Sequence, residues 1–403
     1  MSDLDMFAHL EQPPETVDFE PTRQAGLDRL AKFVGRAGAH YARQRNYDHG
    51  ADQRSNVSAL SPWIRHRLIT EEEVLRECLA RHSLSASEKF VQEVFWRTYF
   101  KGWLEHHPTV WQSYRVGLSR ALDDGTHNAD CRAAIEGRTG IDCFDQWARE
   151  LVETGYLHNH ARMWFASIWI FTLRLPWEIG ADFFLRHLLD GDPASNTLGW
   201  RWVAGLHTKG KTYLARASNI AKYTSGRFNP VGQLSPVSEP LHEAEEHAPI
   251  ALPAPLPPPE SDYLQLVTEE DCMTESVLPH PPIAKLGLLA TGERSPLPIG
   301  DHASAFANAA VEGTSAGAAI ESSWSASIIE AAQAAGTRAV VTSYAPIGPV
   351  ATALAGTDLT EAGLTLYQVQ RRYDTLAWRH SGRGFFGLKK KIPALLRELG
   401  LAA

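Results

Sequence analysis

The chain has 403 residues, enough for two or three domains with a sizeable buried core. Hydrophobic residues make up 44% and charged residues 21%, an ordinary globular balance, and no run of about 18 apolar residues predicts a membrane span. The first residues lack the pattern of a signal peptide, so we expect a cytoplasmic location. Four scattered cysteines without a CxxC pair argue against a disulfide scaffold, and we expect no metal and no iron–sulfur cluster.

Charge and tryptophan are unevenly distributed along the chain. Residues 31–230 contain 26 Lys and Arg against 21 Asp and Glu, whereas the remaining 203 residues contain 13 against 26. Ten of the 12 tryptophans lie in the same central block. The positive balance of this block suits a polyanionic partner.

Residues 21–230 show helical patterning. An apolar stripe with helical spacing is formed by Leu27, Leu30, Phe33 and Val34. Thr70, with Glu73 three residues later, predicts a capping box at the start of a helix. The segment 163–173 is apolar almost all round and predicts a central buried helix that ends before Pro176.

The composition changes beyond residue 230. Residues 231–280 are rich in proline and acidic side chains and predict an extended, solvated linker, while residues 1–18 predict a flexible N terminus. Residues 301–323, rich in Ala, Gly and Ser, predict a second loose stretch. Helical and strand-like segments alternate over 281–403, which predicts a small α/β tail that we interpret as a shortened Rossmann-like layer. Its predicted strands are 286–290, 338–344 and 364–369, and its predicted helices are 325–335 and 392–399.

Six motifs of the central block occur in one order along the chain. They are the segments 41–45, 58–64, 92–99, 136–140, 156–163 and 189–202. These motifs resemble the helical FAD-binding half of the DNA photolyase and cryptochrome family in its bacterial members, over about residues 19–230. The resemblance implies a mainly α fold, a helical photolyase-type FAD-binding domain followed here by the Pro-rich linker and the small α/β tail. We expect the family's usual N-terminal antenna domain to be missing from the front of this block. We also expect the tail to dock on the helical block through 375–378 and 382–386.

The candidate cofactor residues suit a bent dinucleotide. A pyrophosphate needs hydroxyls, N–H groups at a helix start and an arginine. Ser58 and Ser61 flank such a start at Pro62, although they equally suit a simple cap. Likewise the Asp-Gly-Asp sequence 190–192 suits a turn as well as a ligand contact. The resemblance assigns FAD contacts, including an Arg162–Asp190 pair, to Tyr41, Ser58, Ala59, Leu60, Ser61, Arg97, Asn159, Arg162, Asp190, Asp192 and Asn196.

Four residues match the lesion contacts of enzymes that repair cyclobutane pyrimidine dimers. Glu93 and Trp96 share one helix face, and the resemblance implies that Glu93 hydrogen-bonds the thymine edge while Trp96 stacks on the flipped dimer. Asn159 and Met163 also match the dimer-repair pattern, and the resemblance implies that Asn196 lies at the N5 side of the flavin. The expected function is therefore a blue-light DNA photolyase, in which reduced FAD donates an electron, the dimer ring splits and the electron returns.

Three alternatives stay open. Repair of the (6-4) photoproduct uses histidines in this region of the family, and His158 and His160 flank Asn159, although such histidines are more often satisfied core residues. A cryptochrome-like photoreceptor would signal to a protein partner through the linker or tail. A redox flavoprotein without photochemistry is the third reading.

Electron supply to the flavin departs from the family pattern. The resemblance assigns Trp200 and Trp177 to the inner and middle positions of a tryptophan chain. Residues 122–124 fall at the outer position, and they contain no aromatic side chain. Three other tryptophans could replace the outer member of the chain, although each is equally typical of a core residue: Trp111, Trp202 and Trp164.

Basic residues after the last motif predict contact with damaged DNA. Lys209, Lys211 and Arg216 resemble the loop that follows the flavin-binding segment in bacterial relatives, where such side chains suit phosphates. The alternative is a solvated basic loop. The expected partner is ultraviolet-damaged DNA.

Overall fold

A computed structural model describes residues 15–254, 256–315 and 317–402. Most of the predicted flexible N terminus, residues 1–14, lies outside this range. Glu15 is held in place, because its carboxylate pairs with Arg29 at 2.5 Å and with Arg36 at 3.0 Å.

The first part of the chain is helical, as predicted. Its helices are α1 (Arg23–Val34), α2 (Ala39–Gln44), α3 (Ser61–Arg65), α4 (Glu71–Arg81), α5 (Leu84–His106), α6 (Thr109–Asp124), α7 (Asn128–Ile135), α8 (Asp142–Thr154), α9 (Asn159–Ser167), α10 (Trp177–His187), α11 (Pro193–Ala204) and α12 (Ala217–Tyr223). None of the helices in the described ranges is long and apolar enough to cross a membrane.

Local sequence explains where several of these helices begin and end. The predicted capping box opens α4: Thr70 accepts a hydrogen bond from the Glu73 amide, and the Glu73 carboxylate accepts one from the Thr70 amide at 2.8 Å. The predicted central helix is α9, which continues into a π-helical turn (Ile168–Thr172) before Pro176. Its Trp164 is fully buried, as the all-round apolar pattern requires.

The tail contains a four-stranded parallel sheet. Its strands are β1 (Tyr263–Thr268), β2 (Ala284–Leu288), β3 (Ala339–Ser343) and β4 (Thr365–Val369), in the order β2-β1-β3-β4. Its helices are α13 (Asp301–Ser315), α14 (Trp324–Ala335), α15 (Pro349–Ala355), α16 (Arg372–Trp378), α17 (Phe385–Lys389) and α18 (Ile392–Glu398), with short 3-10 turns at Thr274–Val277 and Thr291–Arg294. The three predicted strands and two predicted helices are confirmed, and the fold is mainly α with a small α/β layer.

Two predictions about the second half are wrong. The predicted linker 231–280 contains β1, a fully buried strand that pairs with both β2 and β3. The stretch predicted to be loose, 301–323, contains α13, whose small side chains pack closely against neighbouring elements. A helix of alanine buries little apolar surface per residue, but its slim profile allows close approach.

The segment 231–254 is extended but is not simply solvated. Glu243 pairs with the buried Arg201, and the Leu241 amide donates to the Ala204 carbonyl at 3.0 Å. Further along, the Ile250 amide donates to the His106 carbonyl at 2.7 Å. The segment therefore lies along the ends of α11 and α5.

Buried ion pairs join the tail to the helical part. Arg67 of the helical part pairs with Asp374 at 2.6 Å and with Asp271 at 3.3 Å, and all three side chains are almost fully buried. Arg67 adopts a left-handed backbone conformation, with φ of 48°, at the turn between α3 and α4. One hydrophobic core also contains residues of both parts, so they form one packed unit.

The carboxyl edge of the tail's sheet is closed by the helical part. In open parallel sheets, ligands bind where the strand order reverses, which here is between β1 and β3. At this edge, Glu105 of α5 accepts hydrogen bonds from the Tyr344 hydroxyl at 2.6 Å and from the Ile347 amide at 2.7 Å. The crevice beside β3 thus receives a side chain from α5.

Candidate functional site

The turn before α3 contains the residues predicted to contact a pyrophosphate. Ala59 has φ of 51°, a strained conformation for a residue with a Cβ, and Arg29 fixes the turn by donating to the Ser58 carbonyl at 2.7 Å. The N-cap residue is Leu60, so no side chain of the cap accepts from the first-turn amides. Ser58 and Ser61 are both half-buried. The amides of this turn are therefore available to another acceptor.

Tyr41, Arg45 and Glu93 form a cluster between α2 and α5. Glu93 makes an ion pair with Arg45 and keeps 31% of its side chain accessible. Burial raises the pKa of Glu93, and the Arg45 guanidinium opposes this shift. The Tyr41 ring packs between Phe33 and Phe90, and burial together with the Glu93 charge raises the pKa of its hydroxyl.

A second cluster gathers around Tyr156. Arg162 donates to Asp190 Oδ2 at 2.9 Å, so the predicted pair is present. The guanidinium groups of Arg162 and Arg54 lie 5.4 and 4.4 Å from the centre of the Tyr156 ring. Asn159, at the start of α9, is exposed.

Met163, one turn further along α9, is half-buried. Both residues predicted to contact a lesion from this helix are therefore accessible at its amino-terminal end.

Asp192 has a structural role that the motif alone does not reveal. It caps α11 by accepting from the Ser195 amide at 2.9 Å and the Ser195 hydroxyl at 2.6 Å, and its other oxygen lies 3.4 Å from the Lys101 ammonium. Burial would raise the pKa of Asp192, but the charges of Lys101, Arg97 and Arg65 hold it far below its usual range. Sequence analysis missed Lys101, although it lies one helical turn after Arg97 on α5.

Asn196 is buried, and its side-chain amide donates to the Ala181 carbonyl at 2.7 Å. This bond fixes which way the amide faces. The residue is therefore held rigidly at the interface of α10 and α11.

The polar groups of these clusters fit FAD. Arg97 Nε is buried without a hydrogen-bond partner, and its nearest carboxylate, Glu71, lies 3.8 Å away. Asp190 Oδ1 is likewise buried without a partner. Unsatisfied buried polar atoms are costly and point to a missing partner. The free amides at the start of α3, the arginine and the carboxylate are the groups that a flavin dinucleotide requires.

Trp96 is partly covered by the tail. The Phe385 ring stacks on it, with the ring centres 3.7 Å apart and the planes inclined by 13°, and Tyr99 packs against it edge-on at 5.5 Å. The predicted docking of 375–378 and 382–386 is confirmed by this stack and by Trp378, which packs directly over Gly102. Sequence analysis missed the Trp96–Phe385 contact because 289 residues separate the partners.

The two predicted electron-transfer tryptophans lie on neighbouring helices. Trp200 packs edge-on against Trp169 and Phe184, at 6.2 and 5.2 Å between ring centres. Trp177, at the start of α10, packs against Tyr114 at 5.7 Å.

The three candidate substitutes for the outer tryptophan have different surroundings. Trp111 packs on Tyr114 at 5.2 Å and so continues from Trp177. Trp202 stacks on Tyr213 and Trp164 on Trp147. Only Trp111 shares an aromatic neighbour with a predicted member of the chain, among the ring pairs of the described residues.

The two histidines beside Asn159 are held by the protein. His158 caps α9 by accepting from the His160 amide at 3.1 Å, and burial lowers its pKa to about 4. His160 bonds the Asn46 carbonyl at 3.0 Å and the Tyr213 hydroxyl at 3.1 Å. This arrangement favours structural roles for both.

The predicted DNA-contacting side chains are accessible. Lys209, Lys211 and Arg216 are all exposed. Their loop follows His207, whose Nε2 is hydrogen-bonded to the Tyr99 hydroxyl at 3.2 Å. The loop is therefore anchored to the same helix that presents Trp96.

Known proteins resemble the helical part of the chain. Residues 90–236 match the family model of the FAD binding domain of DNA photolyase. The chain is 32% identical over 213 residues to a deoxyribodipyrimidine photo-lyase of Synechococcus sp., which covers 51% of this chain and 43% of that relative. The solved structure of a class III photolyase of Agrobacterium tumefaciens is 26% identical, with a TM-score of 0.43 over 51% of this chain and 43% of that one. A cryptochrome structure of Synechocystis sp. is 24% identical, with a TM-score of 0.43 over 52% of this chain and 45% of that one. The chain thus spans less than half the length of these relatives.

The fold and the site define an FAD-binding helical domain joined to a small α/β layer. Residues 90–236 are thus similar to the FAD binding domain of DNA photolyase, in agreement with the resemblance carried by the motifs, and FAD is the cofactor of the matched domain.

Proposed function

We propose that the protein is a blue-light photolyase that splits cyclobutane pyrimidine dimers in DNA. The observation that carries this proposal is the placement of Glu93 and Trp96 on α5, where Glu93 pairs with Arg45 beside Tyr41, within the fold that holds the candidate FAD contacts. The relatives named deoxyribodipyrimidine photo-lyase support the same reaction class. Ultraviolet-damaged DNA is then the substrate.

Different side chains bind different parts of FAD. The α3 start and Arg97 bind the pyrophosphate, while the Arg162–Asp190 pair and Asn196 frame the ring system. Bound reduced FAD, excited by blue light, supplies the electron that splits the dimer and takes it back afterwards.

The lesion itself is held by other groups. Glu93 accepts a hydrogen bond from the thymine edge, and the Arg45 guanidinium that pairs with it opposes the rise that burial causes in its pKa. Trp96, one face of which is covered by the Phe385 ring, borders the flipped base from α5, and Asn159 and Met163 border it from α9.

A repair assay on protein with chemically reduced flavin tests the proposal. Prior reduction removes any dependence on Trp177 and Trp200. We expect light-dependent restoration of an oligonucleotide containing a thymine dimer, and a loss of at least tenfold in Glu93→Ala with FAD retained, because a positioned polar contact typically contributes that much. Glu77→Ala, an exposed residue of α4, is the matched control and keeps full activity.

The same assay on a (6-4) photoproduct separates the two lesions. Restoration of the (6-4) substrate alone would overturn the dimer assignment. Restoration of neither substrate would overturn repair altogether.

The second candidate is a cryptochrome-like photoreceptor with a protein partner. The contact that favours it is the Phe385 ring on Trp96, which joins the tail directly to the predicted site. In that case, light changes the protection of 379–391 against hydrogen exchange, while neither lesion is repaired. A flavin that responds to chemical reductants but not to light would favour the redox reading instead.

A further inference from the structure

A basic segment of the tail lies beside Trp96. Residues 379–391 contain five Arg and Lys and no Asp or Glu, although residues outside 31–230 hold only 13 basic against 26 acidic residues. Arg383, Lys390 and Lys391 are exposed and form no ion pair within the described ranges. This local excess of charge is therefore uncompensated.

The segment runs along α5. Gly382 approaches the His106 ring, Phe385 stacks on Trp96, and Lys389 pairs with Glu88 at 3.2 Å. The buried Phe385 thus anchors the segment over the middle of α5, with its cations on the accessible side.

Phe386, which follows the buried Phe385 in the chain, is exposed to solvent. It is 74% exposed, an unusual state for a phenylalanine in the middle of a basic segment. An exposed aromatic ring among cations is the arrangement that binds nucleic acid, because the ring stacks on bases while the cations contact phosphates.

Two basic segments meet at one residue of α5. Tyr99 packs edge-on against Phe385 at 5.6 Å, and its hydroxyl bonds His207, which precedes Lys209 and Lys211. The loop 207–211 and the segment 379–391 are thus neighbours on the face of α5 that carries Trp96.

We propose that 379–391 forms a second DNA-binding segment: Arg383 and Lys390 contact backbone phosphates, and Phe386 stacks on a base or sugar beside the lesion. The partner follows from charge complementarity, because uncompensated cations flank a site built for a nucleotide. The proposal rests on the proposed function only for the role of Trp96.

Binding of full-length, FAD-loaded protein to an undamaged duplex tests the proposal without any repair. In Arg383→Ala/Lys390→Ala, we expect the affinity to fall roughly tenfold or more, and the slope of log K against log salt to decrease in magnitude by about two between about 50 and 200 mM. Arg338→Ala, an exposed cation at the opposite end of β3, is the matched control and changes neither. Circular dichroism and FAD content verify folding of each variant.

Phe386→Ala separates the aromatic contribution from the charges. It should weaken binding to single-stranded or lesion-containing DNA about fivefold, with an unchanged salt slope. Unchanged affinity and slope in the double variant would overturn the proposal, even where lesion repair is intact. A change in self-association of Phe386→Ala, with DNA binding unaltered, would overturn it in favour of a contact between copies. If the protein repairs no lesion but the double variant still shows a reduced salt slope, only the proposed function is contradicted, and the DNA-binding role of 379–391 is supported.

Discussion

At the scale of single residues, the candidate FAD site contains buried polar groups that have few hydrogen-bond partners within the protein. Asp190 is buried, and of its two oxygens only one is bonded, to Arg162. Arg162 is itself tied to the backbone through a bond from Nε to the Leu157 carbonyl at 3.0 Å. The pair thus links α9 to the loop before α11.

Replacing Arg162 by Leu should both destabilise the protein and release FAD. The Asp190 carboxylate would be left buried without a partner, which we expect to reduce the free energy of unfolding by about 2–4 kcal/mol. Urea unfolding and the flavin absorbance of the purified protein measure the two effects. Arg138→Leu, which breaks an exposed pair with Glu136, should change stability by less than about 0.5 kcal/mol. Equal effects of the two variants would contradict a special role for the Arg162–Asp190 pair.

At the scale of elements, the packing of α10 against α11 depends on one glycine. A Cβ on Gly180 would lie 2.4 Å from Trp200 Cη2 and 2.9 Å from Trp169 Cε2. The backbone of α10 therefore approaches the Trp200 indole as closely as a glycine permits. This contact fixes the indole relative to Trp177, three residues earlier on the same helix.

Gly180→Ala should therefore displace Trp200 despite the higher helix propensity of alanine. We expect a loss of about 1–3 kcal/mol in the free energy of unfolding and a shift in tryptophan fluorescence. Gly313→Ala on α13, where a Cβ meets nothing within 4 Å, is the control and should be neutral or stabilising by up to about 1 kcal/mol. A Gly180→Ala protein as stable as the control would show that the helices can separate without cost.

Some secondary-structure elements could be predicted from the sequence alone and others could not. Helices with strong caps or a central apolar pattern were predictable, as Thr70 and 163–173 show, because their determinants are local. Helix α13 was not, since its buried Ala303, Ala307 and Ala310 gain their stability from tertiary packing. Strand β1 directly follows a proline-rich stretch, and a short apolar run there carries no period that identifies a strand.

The candidate site divides in the same way. The Arg162–Asp190 pair was predictable, because the resemblance to the photolyase and cryptochrome family implies it. The roles of Lys101 beside Asp192 and of Phe385 on Trp96 arise from the meeting of distant segments. A linear sequence gives no distance between such segments.

At the scale of the whole molecule, buried charges hold the helical part and the tail together. Arg67→Ala would leave Asp374 without its strongest partner in a buried interface, and we expect a loss of about 3–5 kcal/mol in the free energy of unfolding. Arg379→Ala, which breaks an exposed pair with Glu398, is the control and should cost less than about 1 kcal/mol. A mild effect of Arg67→Ala, comparable to that of the control, would show that the interface does not depend on this network.

The folded protein should also be sensitive to acid because it buries neutral histidines. Burial lowers the pKa values of His158, His187 and His207 to about 4, and the charges of Arg186 and Arg201 add to the effect at the latter two. In the unfolded chain, each imidazole returns to its ordinary pKa of about 6.5. Between pH 6.5 and 4, these three imidazoles therefore bind up to about three more protons in the unfolded state, whereas Glu150, whose pKa burial raises to about 7, binds about one fewer there.

The histidines therefore contribute a free energy of unfolding that rises with pH through this window and falls on acidification, and the Glu150 carboxyl opposes it. Urea unfolding at a series of pH values measures the slope, which gives the number of protons taken up. His187→Asn should reduce that number by about one, since it removes one of the three groups. The position of His187, outside the Tyr41 and Tyr156 clusters, makes it a suitable choice for this test. A slope that is unchanged in His187→Asn would contradict the assignment of a buried neutral histidine at this position.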